Sequence, residues 1–571
     1  MFEPLYIQLF IKYSLLYFSF FSTGRAFVLI LQRIYFKNYN IPSKLLTIKA
    51  TYLFPIIGII GIGNLLIFLN FFIPLKSIFI YLLIICINVI NLNNRDKFNF
   101  SNLTSYKILV PYLLVPAVLI ISTSDINFHY DAAYYHLNHQ NWLRESNMIL
   151  GMVNIFWAFG MSSIYEYISA ILWFDSTFVL LHFLNLIFIH FFYLFLFYHI
   201  SNFKNKALTY SSIFILLFSL LDNFGFQGGR NGYFYIQGVG KQDTAVSVLF
   251  CFVTLVIINY LINSEIHDVD IIYTSLILFF IFQIKISGVF VFLIYLFLIF
   301  TLLLKNQMKF INIIYYNSVF ILFSVIWFLK SYLTTGCILF PVELSCINNF
   351  SWYVSGSTKE YELISTDASF SYIEYFVAKD LSIVDWFNDF FNSENYESFS
   401  TYYRSFYLNF SFSLLLIIVL IFIFMKTKKV TLLNNIFIWS YLFFNLSYLV
   451  FFGPIPRYSI GVLVTIIGVL GFYVKDSKYE LNRKLLYVLF VSSLILLPRI
   501  NSYKGFLDEP GLSLFDPRID DTLYNEVQIY KDWIRPDNGD RCWINLNCTM
   551  HTQNIDINTN NFFKIASRDF S

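Results

Sequence analysis

Charge is scarce in this chain of 571 residues. Asp, Glu, Lys and Arg together make up 13%, too little to cover a water-soluble fold of this length. What charge there is nearly cancels, leaving a net of +3. No basic face is therefore concentrated enough to displace counterions from phosphates, and no nucleic-acid partner is expected. The first apolar run lacks a basic n-region and is interrupted by Lys12, so it is not expected to be a cleaved signal peptide. No internal repeat of the kind that builds many transporters is evident. Apolar side chains make up the difference: residues of the set AVILMFWYC reach 58%, with 69 Phe, 42 Tyr and 9 Trp. Mean hydropathy is +0.64. That aromatic load excludes a disordered or collagen-like chain.

Long apolar runs predict an all-α fold, a polytopic transmembrane helical bundle, because helices satisfy their own backbone in lipid. About fourteen spans are expected, near 4–23, 51–73, 77–93, 108–123, 176–200, 209–221, 245–262, 271–285, 287–304, 310–330, 411–425, 433–452, 459–474 and 485–497. Segments 24–50, 94–107, 201–208, 263–270, 305–309, 426–432 and 475–484 hold half of the 38 Lys and Arg and few acids. By the positive-inside rule they mark the cytoplasmic side. The long segments 124–175, 222–244, 331–410 and 498–571 then face outward. Four of the 6 cysteines, Cys337, Cys346, Cys542 and Cys548, fall on that side. A disulfide between Cys542 and Cys548 is expected in an oxidising compartment, and Cys337 with Cys346 could pair as well.

Candidate chemistry also collects on the outer side. His129-Tyr130-Asp131 through His136 and His139 follows a span directly, and 131–145 reads as a helix at the membrane surface. Segment 155–173 reads as a helix along or dipping into the interface, and 372–391 as an interfacial helix in the long loop. Asp131, ringed by Tyr and His, is a candidate general base whose proton affinity desolvation would raise. The plainer reading makes it a helix N-cap. His136 and His139, three apart, leave a divalent metal as an alternative to a site with no cofactor. Glycines at 228–229 and 238–240 lack the context of a phosphate loop. They instead bring Arg230, Lys241 and Asp243 to the head of a span. Lys285 lies between two apolar runs at outer-leaflet depth, and Arg457 stands alone in an outer turn. A single cation there could snorkel to headgroups. Four converging cations point to an anion held at the outer leaflet.

A span, an acidic motif in the first large outer loop, a half-embedded helix and then many spans resemble the GT-C class of glycosyltransferases. Tyr130-Asp131 with His136, Lys285-Ile286-Ser287-Gly288, Thr335-Gly336-Cys337-Ile338-Leu339-Phe340-Pro341 and Gly539-Asp540-Arg541-Cys542-Trp543 with Cys548 are similar to a bacterial multi-pass family found among surface-polysaccharide genes. The resemblance spans most of 124–571. It implies added N-terminal helices (1–107), a GT-C-like core (108–330), the outer loop (331–410), C-terminal helices (411–497) and an extracytoplasmic tail (498–571). It departs in one respect: GT-C acidic motifs often have two acids close together, whereas Asp131 stands alone and Glu145 follows fourteen residues later.

The resemblance implies an enzyme of the bacterial cytoplasmic membrane, its site facing the periplasm or exterior. It would move sugar from a polyprenyl-(di)phosphate donor to a glycan or lipid acceptor, with membrane lipid around it. Asp131 would be the base. Lys285, Arg457, Lys241 and Arg230 would contact phosphate, while His136, Asp243 and Glu145 would orient sugar or acceptor. Tyr and Trp near 130–142 and 352–353 would stack on sugar faces. A repeat-unit polymerase is the alternative within this chemistry, and a polysaccharide or lipid flippase the alternative outside it.

Overall fold

Apolar runs become helices here because the backbone polar groups of a chain this poor in water-facing side chains must be satisfied internally. The computed structural model describes residues 4–35, 52–90, 110–125, 128–173, 178–224, 238–263, 266, 268–347, 349, 352–353, 384, 397–452, 456–478, 482–508, 524–526, 534–536, 541–542, 548–549, 555–560 and 562–568. The order begins with α1 (Pro4–Tyr35), α2 (Phe54–Asn70), α3 (Ile78–Val89), α4 (Val115–Ile120), α5 (Leu137–Glu145) and α6 (Ile164–Ala170). It continues with α7 (Val179–Asn202), α8 (Lys206–Phe224), α9 (Asp243–Asn263), α10 (Asp268–Ile284), α11 (Phe292–Leu304), α12 (Phe310–Tyr316) and α13 (Ser318–Thr335). Then come α14 (Glu397–Phe424), β1 (Met425–Thr427), α15 (Leu432–Phe452), α16 (Pro456–Val469), β2 (Val474–Ser477), α17 (Arg483–Ile495) and α18 (Ile500–Asp508). Three antiparallel strand pairs complete the described chain: β1 with β2, β3 (Tyr524–Glu526) with β4 (Ile534–Pro536), and β5 (Ile555–Asn560) with β6 (Phe563–Arg568).

Among the described residues, six helices are long and apolar enough to cross a bilayer: Leu5–Tyr35, Val179–Asn202, Asp243–Asn263, Ile286–Leu304, Ser318–Thr335 and Ser405–Phe424. This is a membrane protein of the polytopic helical class. A seventh candidate joins α17 to α18 through a 71° bend, where Pro498 removes a backbone donor. Other expected spans emerge as shorter helices. The run at 77–93 gives a helix of 12 residues, started by the Ser77 hydroxyl on Phe79 N–H. The run at 108–123 opens with a π-helical turn, Val110–Leu114, before α4, and Pro111 and Pro116 interrupt its regular ladder.

One continuous apolar core threads α1, α2, α7, α9, α10 and α16. The N-terminal helices thus share the core of the rest. Amides and imidazoles tie spans together within it. Asn64 and Gln283 exchange amide hydrogen bonds of 2.8 and 3.3 Å, and His190 bonds the Tyr13 hydroxyl at 2.9 Å and the Pro111 carbonyl at 2.8 Å. Leu, Val and Phe side chains such as Leu296, Phe300, Leu304, Val325, Leu415 and Phe422 point outward, a belt that suits lipid rather than water.

Basic segments gather at one end of the bundle. The pairing of β1 with β2 brings the segments carrying Lys426 and Lys475 together, and Lys206 reaches Asp476 at 2.7 Å. Three segments expected on the cytoplasmic side therefore meet at one end. At the other end, described residues of the tail pack on segment 124–175. Leu150 pairs with β6, Cys542 N–H donates to Ala133 O at 3.1 Å, and Thr549 donates to Ile155 O at 2.7 Å.

Candidate functional site

Three consecutive residues organise the end of the bundle that the sequence expects to face outward. Lys241, Gln242 and Asp243 lead into α9, and each takes a different partner. The Lys241 ammonium pairs with the Asp131 carboxylate, Gln242 Nε2 donates to Glu166 Oε1 at 2.7 Å, and Asp243 Oδ1 accepts from Lys285 Nζ at 2.6 Å. Their position is fixed by the turn before them. Phe128 bridges Val239, and His129 N–H donates to Val239 O at 2.8 Å. Gly240 then takes φ +90°, and a Cβ on it would come within 2.8 Å of the Ala132 backbone nitrogen. Only glycine fits that left-handed turn against Ala132.

Lys285 occupies the break between α10 and the 3-10 turn Ile286–Val291. Its ammonium lies 4.3 Å from the centre of the Tyr458 ring. Arg457, beside it at the start of α16, places a guanidinium 5.1 Å from the same ring and donates to the Tyr458 hydroxyl at 3.2 Å. Among the described residues no carboxylate lies within ion-pair distance of Arg457, and its buried Nε has no hydrogen-bond partner. Three cations and two carboxylates thus share one cluster, with one positive charge in excess.

The structure revises several expectations. Burial on its own would raise the Asp131 carboxyl, but the neighbouring His129 ring and the Lys241 ammonium overturn it and hold the group well below the usual carboxylate range. Its proton affinity falls where the sequence suggested a rise. Nor is Asp131 a side-chain cap: it precedes the π-helical turn Ala132–His136 without bonding its amides. Lys241 is shifted down, first by burial and then by the nearby Arg457, with Asp131 and Asp243 opposing. Glu145 lies apart from the cluster, in an exposed pair with Lys76 at 3.0 Å. Such a pair contributes little. Asp243 is engaged by Lys285, and Arg230 lies outside the described residues. So does 372–391, apart from the single helical residue Val384. Segment 155–173 is not an interfacial helix. It forms a short 3-10 turn, Trp157–Met161, then α6, all but wholly buried. Trp142 is also buried, while Tyr130 is exposed with the Arg541 guanidinium 5.2 Å from its ring. The structure joins Cys542 to Cys548 and Cys337 to Cys346.

Glu166 went unread in the sequence. Ser163-Ile164-Tyr165-Glu166 has the spacing of a capping box, in which the Glu would reach back to the Ser amide. Ser163 does cap α6, accepting from Tyr165 N–H at 3.1 Å. The Glu166 carboxylate instead accepts from His136 Nδ1, from Gln140 Nε2 at 2.7 Å and from Gln242. Burial would raise it, but the His136 ring foremost, then His139 and Gln140, bring the net shift down. Arg144 holds α5 against α6, donating to Ala170 O at 2.6 Å and Trp173 O at 2.9 Å. His139 turns elsewhere. It stacks on Phe159 at 4.9 Å, and burial pushes its imidazole down to about 3. The two histidines therefore serve different neighbours, and the described residues hold no cluster of three or more metal-ligating groups. A narrow crevice runs between Ala132, His136, Gln140, Glu166, Asn185 and Gln242, with room for a water-sized guest.

The sequence profile of a family described as a domain of unknown function (DUF8201) matches residues 7–464. The chain belongs to that family. The DUF8201 match takes in α1 to α3 as well as Asp131, Glu166, Lys241, Lys285 and Arg457, and ends before the tail. No curated protein and no solved structure matches the chain.

Lys330 is a second charged residue missed in the sequence. It is 2% exposed on α13, donates to Ser162 O at 3.0 Å and lies 4.4 Å from the Trp327 ring centre. No described carboxylate pairs with it. Burying an amine with no acid partner is costly, so Lys330→Met is expected to raise the melting temperature. Thermal melting in detergent checks this. A lower melting temperature would mean that the carbonyl and ring contacts outweigh the burial cost.

Proposed function

We propose that this protein is a GT-C-like membrane glycosyltransferase of about fourteen spans, acting at the outer face of the bacterial cytoplasmic membrane. It takes sugar from a polyprenyl-(di)phosphate donor and passes it to a glycan or lipid-linked acceptor. The observation that carries this reading is the excess positive charge at the outer end, centred on Arg457 beside Lys285 and Lys241. A phosphate completes that cluster electrically, and a guanidinium with open donors suits phosphate oxygens.

Transfer breaks the bond between the anomeric carbon and the phosphate oxygen. The electron pair goes to the phosphate, and cations fixed in advance stabilise that charge. Phosphate leaves readily, so no general acid is needed, unlike hydrolysis by paired carboxylates. Asp131 acts in this reading by positioning Lys241. A carboxylate already paired with an ammonium and held low is a weak proton acceptor.

The test is purified protein in lipid nanodiscs with a radiolabelled polyprenyl-phosphate-linked sugar and candidate acceptors. Transfer of label with release of polyprenyl phosphate is expected. Single additions support the transferase, and ladders of repeat units support the polymerase. Movement of intact donor across a bilayer without bond cleavage would replace the enzyme with a flippase.

A further inference from the structure

Transfer also needs a group to take the proton of the acceptor hydroxyl, and the Asp131 pair leaves that place open. We propose that His136 is this proton acceptor, with Glu166 as the positioning residue that orients it; the inference rests on the glycosyl-transfer reading. Glu166 is 2% exposed and, as a carboxylate, can only accept hydrogen bonds. Its Oε1 contacts His136 Nδ1, so Nδ1 carries the hydrogen and Nε2 presents the lone pair. Among the described residues nothing hydrogen bonds to Nε2, and the ring lines the crevice. A buried carboxylate fixing one imidazole nitrogen while the other stays open is the arrangement by which histidine serves as a general base.

Two further features favour catalysis over packing. The capping-box spacing gives Glu166 a local partner, the Ser163 amide, yet three long-range donors hold it instead. The third donor, Gln242, stands between Lys241 and Asp243, so the imidazole is tied to the cation cluster through one tripeptide. A hydroxyl entering the crevice meets uncharged polar groups, Gln140, Asn185 and Gln242. The recognised ligand is then one hydroxyl of a sugar or glycan acceptor. In the step, the acceptor oxygen bonds to the anomeric carbon as its proton passes to His136 Nε2. The bond to phosphate breaks, and its electron pair leaves with the phosphate beside Arg457 and Lys285.

The experiment compares wild type, His136→Gln, His136→Ala, Glu166→Gln and Asp131→Asn with the labelled donor in nanodiscs. Gln at 136 still donates to Glu166, which keeps the fold while removing the base. His136→Gln is expected to lower kcat by ~10²–10⁴-fold with donor KM little changed. Added imidazole should restore part of the turnover of His136→Ala, and Glu166→Gln should lower kcat more than it alters KM. Full kcat in a folded His136→Gln protein would overturn the proposal. So would an inactive Asp131→Asn alongside an imidazole-insensitive His136→Ala. Wild type that transfers nothing would remove the glycosyl-transfer reading itself, whereas an active wild type with an active His136→Gln removes the dyad alone.

Discussion

Arg457→Ala is expected to lower donor turnover by ~10²–10³-fold, the loss that follows when one fixed donor to a developing oxyanion is removed. The guanidinium carries the excess charge of the cluster and has no described carboxylate to satisfy. Its removal therefore strands no buried acid in an ion pair, and folding should survive. Arg457→Lys recovers part of the rate, because an ammonium supplies charge without the planar fork. Lys285→Ala is a different case. It leaves Asp243 buried with its near partner gone, and breaking such a pair costs about 3–5 kcal/mol. Loss of activity there confounds binding with folding, which makes Arg457 the cleaner probe. Arg483, at the opposite basic end of the bundle, is the control and should leave turnover unchanged. Equal activity of Arg457→Ala and wild type would move the phosphate away from this cluster.

Gly58→Val is expected to separate the first two helices, destabilising the protein by about 3 kcal/mol or more. A Cβ on Gly58 would lie 2.1 Å from Phe20 O, and one on Gly24 would lie 1.8 Å from Phe54 O. Both clashes are with backbone, so no rotamer change relieves them and α1 must move off α2. Small residues allow this close approach in apolar surroundings, where packing drives helix association. Gly61 supplies the comparison. A Cβ there meets only the Phe27 ring, at 3.3 Å, and a side chain can yield. Melting temperature and folded yield should fall sharply for Gly24→Val and Gly58→Val and little for Gly61→Ala. If all three behave alike, the close α1–α2 crossing is wrong.

The helical membrane class was legible because apolar runs leave the chain few other ways to satisfy its backbone. Span ends were less so. Pro111, Pro116 and Pro498 break runs that hydropathy reads as continuous, and Lys285 divides α10 from the helix after it. The candidate site was half legible. Lys241, Lys285 and Arg457 stood out because isolated cations near apolar runs need partners or anions. Which acid each would meet could not be read, since Asp131 and Lys241 are 110 residues apart and meet only through the Gly240 turn. Glu145 looked equivalent to Asp131 by type, but it lies at the exposed end of α5. Glu166 was hidden by a local pattern, because Ser-x-x-Glu is explained by helix capping. The signal that could have exposed it was a carboxylate inside the otherwise uncharged stretch 155–173.

Binding of polyprenyl phosphate to the protein in nanodiscs tests the central claim most directly, because it asks only whether the Arg457 cluster holds a lipid-borne phosphate. Wild type should bind the phosphate and ignore the same polyprenol without it. Arg457→Ala should weaken binding at least tenfold, and high salt should weaken it further. Equal binding of polyprenol and polyprenyl phosphate, or an affinity unmoved by Arg457→Ala, would contradict the account.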